Sequence, residues 1–120
     1  MVAGTVLALS AGFSILGTRE YNNWNVARWA SLNRLMKDGV SPREIDGGFE
    51  FNGVYLYDFN YHDTSKSTTR AKSWWWVDDD RYMIAFGPME GFHTFRTMPF
   101  DKPLTGGRGT IYTLKRDEAR

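Results

Sequence analysis

The sequence predicts an α/β fold: a small mixed sheet with an N-terminal βαβ unit, whose helix covers about residues 22–38, followed by antiparallel strands. Two observations predict it. An amphipathic helical stretch lies between a short apolar run at residues 13–16 and a strand expected near residues 45–48, the order strand, helix, strand that makes adjacent strands parallel. The second half then breaks into apolar runs of strand length separated by Gly87-Pro88, Gly91 and Gly106-Gly107. At 120 residues the chain is one domain, large enough for a single core.

Residues 1–18, MVAGTVLALSAGFSILGT, carry no charge. Their length sits at the low edge of what spans a bilayer. Three readings compete: a signal peptide, which lacks a basic start; a buried strand; and the end of a transmembrane helix, with Arg19, Glu20 and Tyr21 marking the exit into water. The expected division is an apolar segment at 1–12, the end of a transmembrane helix, and a single soluble domain at 13–120, opened by the strand at 13–16.

In the helix, Tyr21, Trp24, Ala27, Leu32, Leu35 and Met36 share one face at about 100° per residue, with Asn23, Ala30, Asn33, Arg34 and Lys37 opposite. Asn25 and Arg28 project from inside the apolar arc, where a guanidinium is costly unless paired. Asp38-Gly39 supplies a left-handed C-cap with Val40 as its apolar contact. Ser41, Pro42 and Glu44 form a capping box for about one further turn. The chain then emerges through Asp46, Gly47-Gly48 and Glu50, so Asp46 is the expected partner of Arg28 and Glu50 the second choice. Residues 49–58 read either as a hairpin on Asn52-Gly53 or as a second helix, the reading adopted. Residues 60–73, rich in Ser, Thr and Lys, read as a mobile loop. Strands are expected at 74–77, 81–86, 92–99 and 110–116.

A net charge of +1 with 24% charged residues argues against a nucleic-acid binder. No cysteine is present, so thiol nucleophiles, disulfides and zinc-thiolate sites are excluded. His62 and His93 lack ligand spacing, and neither a metal nor another cofactor is expected. Asp78, Asp79 and Asp80 read as a solvated turn more readily than a cation site, because neighbouring strand residues point to opposite faces. The same alternation means that Trp74, Trp75 and Trp76 cannot all be buried on one face, which makes them candidates for contact with saccharide or lipid headgroups. The candidate polar cluster is Asn25, Arg28, Asp46, Glu50 and Asn52. Its simplest role is a structural ion pair; a small hydrolase with Asp46 or Glu50 as general base is a further reading.

The segments YNNWNVARW, DGVSPREIDGGFEFNG, SWWWVDDDRYMIAFGPMEGF and TIYTLKR resemble the C-terminal tail of bacterial multi-pass membrane glycosyltransferases of the dolichyl-phosphate-mannose protein mannosyltransferase and aminoarabinose transferase superfamily. The resemblance spans about residues 13–116. It implies a soluble extracytoplasmic domain, on the periplasmic or cell-surface side, after a last membrane helix. It further implies transfer of a sugar from a polyprenyl-phosphate donor, by acidic residues in loops this chain does not contain. The implied partners are the membrane portion of the same polypeptide and a saccharide or lipid-linked sugar. The chain alone would then be a non-catalytic recognition module. The alternative is a free-standing small soluble binding domain.

Overall fold

In the computed structural model, which describes residues 2–56, 77 and 79–118, the dominant element is one helix, α1 (Val2–Lys37). It continues through the short 3-10 turn Pro42–Glu44 into β1 (Ile45–Asp46), α2 (Phe49–Tyr55), β2 (Tyr82–Ala85), β3 (Phe92–Asp101) and β4 (Arg108–Arg116). The four strands form one mixed sheet in the order β1-β2-β4-β3. β1 runs parallel to β2, while β2 and β3 both pair antiparallel with β4.

The expected helix at 22–38 is present, but it does not begin there. Residues 13–16 belong to α1 and not to a strand, and the helix crosses the expected boundary between residues 12 and 13 without a break. A four-residue apolar run carries too little periodicity to separate helix from strand. The parallel pair is instead formed one element later, by β1 and β2 with α2 between them in sequence. Residues 49–55 fold as the helix α2, as expected in preference to the hairpin. The strands expected at 81–86, 92–99 and 110–116 appear with shifted ends. The mobile loop at 60–73 and Trp74, Trp75 and Trp76 lie outside the described residues.

The end of α1 follows its sequence closely. Gly39 takes φ 89°. Its N–H donates to Met36 at 3.1 Å, and the Val40 N–H donates to Leu35 at 3.1 Å, the paired bonds of a Schellman cap. The capping box then forms, with the Ser41 N–H donating to Glu44 and the Arg43 N–H to the Ser41 hydroxyl, both at 3.3 Å. Leu32 and Leu35 of α1, Ile45 of β1 and Phe51 of α2 make the core cluster, with Trp29, Met36, Val40 and Tyr82 packed around it. Ser31 is buried among them, its hydroxyl bonded to the Ala27 carbonyl one turn back at 2.9 Å. Two residues depart from the expected helical faces. Tyr21 is 47% exposed, and Asn23, expected on the solvent side, donates to the Asp101 carbonyl at 3.0 Å.

The C-terminal half of α1 packs along the sheet, and an ion pair from Arg96 to Asp38 fastens its far end. Among the described residues, none of residues 2–19 is buried. Val2, Leu7, Leu9 and Phe13 are each at least 66% exposed. This projection accounts for a long axis of 63 Å against 30 and 26 Å across. α1 is long and apolar enough to cross a membrane.

Candidate functional site

The polar cluster assembles where α1 passes the β1–α2 junction. Arg28 is buried at 9% exposure, and its guanidinium pairs with the Glu50 carboxylate and approaches the Gly47 carbonyl at 3.5 Å. It also lies 5.3 Å from the Trp24 ring and 5.9 Å from Trp29, within the range of cation–π attraction. Burial lowers the Arg28 pKa, with Tyr21 acting in the opposite sense. An arginine so shifted still carries its charge at neutral pH.

Asp46, the expected partner of Arg28, is not its partner. One oxygen of its carboxylate accepts the Gly48 N–H at 3.2 Å and the Asn52 amide at 2.9 Å, and Asn52 in turn accepts the Gly47 N–H at 3.1 Å. These bonds close a compact knot that leads the chain from β1 into α2. The carboxylate that reaches α1 is Glu50, in the first turn of α2. The two glycines are steric requirements more than sources of flexibility. A Cβ on Gly47 would lie 2.5 Å from the Phe51 ring; Gly48 has φ 85° and would meet Arg28 at 3.1 Å.

Asn25, Arg28, Asp46, Glu50 and Asn52 therefore do not converge on one point. Asp46 and Asn52 bond each other, Glu50 bonds Arg28, and Asn25 bonds neither group. Asn25 Oδ1 and Arg28 Nε are buried without a hydrogen-bond partner among the described residues. The donors engage one oxygen of each carboxylate, Oδ1 of Asp46 and Oε2 of Glu50.

Like Asn23–Asp101 and Arg96–Asp38, three further polar contacts escaped the sequence reading because each joins residues distant along the chain. Asp80 pairs with Arg116, while Asp79 of the same acidic run is exposed. His93 Nδ1 lies 2.8 Å from Asp117 at an open cleft that Lys115, Arg116 and Glu118 also line. Glu20 accepts the backbone N–H groups of Leu104 and Thr105, each at 3.0 Å, and the Thr105 hydroxyl at 3.0 Å. Those bonds, led by the Thr105 N–H, lower the Glu20 pKa. Among the described residues no group of three or more His, Asp and Glu side chains is placed to hold a metal ion. No protein-family model matches the chain, and no curated protein or solved structure matches it.

Proposed function

We propose that the chain is a membrane-anchored accessory or recognition domain of a glycosyltransferase that uses a polyprenyl-phosphate-linked sugar, non-catalytic by itself. One observation carries the membrane part: an uncharged run with no buried residue among those described continues unbroken, in α1, into the helix that supplies the domain core. The sugar-transfer part rests on the resemblance of the quoted segments. The cluster around Arg28 supports a scaffolding role, since its charges are consumed in joining α1 to α2.

The resemblance places the domain on the extracytoplasmic side. A second reading, the same domain on the cytoplasmic side, is favoured by Arg19, Arg28, Arg34 and Lys37 following the apolar run, because basic flanks prefer the cytoplasm. The chain has no native cysteine, so Glu90→Cys gives a single labelling site on an exposed residue. Labelling of Glu90→Cys by a membrane-impermeant maleimide in intact spheroplasts is expected for the extracytoplasmic domain; labelling only after lysis would move it to the cytoplasm. For the activity, a reading frame upstream of Met1 that encodes several hydrophobic spans and acidic loops is expected. Its absence from the gene would remove the glycosyltransferase assignment.

A further inference from the structure

The β3–β4 hairpin tip, residues 102–107, is fastened to α1 at the point where the uncharged run ends. Glu20 holds the N–H groups of Leu104 and Thr105, and Asn23 holds the Asp101 carbonyl. Leu104 reaches further back, into the run itself: a Cβ on Gly17 would lie 3.7 Å from its Cδ2. Beside this contact Phe86, which follows β2, meets Trp24 edge-on at 5.4 Å, and Trp24 meets Tyr21 at 5.1 Å. Phe86 is 64% exposed although it is a large apolar side chain.

The levels can be compared along the helix axis. Tyr21 and Trp24 stand about 4.5 and 9 Å beyond Thr18. The headgroup layer of one leaflet is about 5–8 Å deep. A bilayer that takes up residues 2–18 thus brings its headgroups level with the hairpin tip and Tyr21, with Trp24 and Phe86 at the outer edge of that layer. The side chains there suit that layer. Arg108 pairs with Asp101, Arg19 and Lys102 outnumber the one remaining carboxylate, Glu20, which is bonded by the turn, and Tyr21 and Phe86 present aromatic surface of the kind favoured at membrane interfaces.

We propose that the hairpin tip and Phe86 form a membrane-docking face, so that the domain lies against the bilayer instead of swinging from α1 as a tether. Arg19 and Lys102 meet lipid phosphates, Tyr21 and Leu104 lie in the interfacial layer beside them, and Phe86 caps its outer edge. The occupant is a phospholipid surface, preferably anionic. This rests on the membrane reading of α1, and the experiment separates the two.

Single cysteines at Phe13, Gly87, Pro103 and Glu118 in the full chain would each carry a fluorophore, in vesicles of phosphatidylcholine with phosphatidylglycerol. Lipids bearing nitroxide on the acyl chain or on the headgroup serve as quenchers. Acyl-chain quenching is expected at position 13, headgroup quenching at 87 and 103, and neither at 118, at the far end of the sheet. Quenching at 13 without quenching at 87 and 103 would overturn docking and leave the anchor intact; no quenching at 13 would overturn both. Lys102→Glu, in a variant with an unchanged circular dichroism spectrum, should weaken quenching at 103, as should raised salt on the unaltered chain. Quenching at 103 that resists both would overturn the lipid-phosphate contact.

Discussion

Arg28 and Glu50 are unequal partners, and the inequality fixes what their removal does. The Arg28 side chain is 10% exposed and the Glu50 side chain 46%. Arg28→Met leaves a carboxylate that water can reach, and its cost should stay under about 1 kcal/mol beyond any repacking. Glu50→Ala leaves a buried guanidinium with only the distant Gly47 carbonyl, and should cost about 1–3 kcal/mol. Urea melts of the two variants check the order, and a larger loss for Arg28→Met would show that the guanidinium has another acceptor. Gly47→Ala should also be severe, at least about 2 kcal/mol, because Phe51 is in the core and cannot withdraw from the new methyl without unpacking it. That Arg28 needs an acceptor was legible in the sequence from its place on an apolar helical face. Which acceptor was not, because the choice turns on local backbone geometry. Asp46 captures the N–H two residues ahead, a habit of Asp before Gly-Gly that could have been weighed, and Asn52 completes the capture.

At the scale of elements, the hairpin tip and α1 communicate through Glu20. Its pKa is lower in the folded protein than the ordinary 4.5, chiefly through the Thr105 N–H. The linkage therefore favours the docked hairpin above the ordinary value, and the contribution disappears as pH falls through the lowered one. The protection factors of the Leu104 and Thr105 amides, taken against the intrinsic exchange rate at each pH, should fall on acidification through that window. Glu20→Gln should lower both protection factors at neutral pH and flatten their acid dependence; an unchanged acid response of the protection factors would assign it to another group. Caps and turns were the most legible elements, since the Schellman motif at Gly39 and the box at Ser41 are local chemistry, readable without knowing what packs on them. The strand assigned to residues 13–16 failed for the converse reason: a short apolar run acquires its state from what precedes and follows it, here a helix on both sides.

At the scale of the molecule, α1 divides into a half that builds the domain and a half that does not. The buried apolar residues Ala27, Leu32, Leu35, Ile45, Phe51, Leu56, Met83, Ile111 and Leu114 all follow residue 20, and the run meets the hairpin tip where Gly17 faces Leu104. The mixed sheet was legible because its strands carry their own turn signals. The strand expected near residues 45–48 is present as β1, but its closure against β2 was not legible, since the parallel partner was sought at residues 13–16, which are helical. Deletion of residues 1–18 should therefore leave the cooperative unfolding free energy within about 0.5 kcal/mol, because no core side chain is removed. The same deletion should abolish flotation with phospholipid vesicles, because the exposed apolar surface leaves with it. The two measurements fail independently. Loss of a cooperative urea transition in the shortened chain would make the run part of the fold, whereas flotation that persists would place the membrane contact in the globular part, with Phe86 and the hairpin tip the first residues to alter.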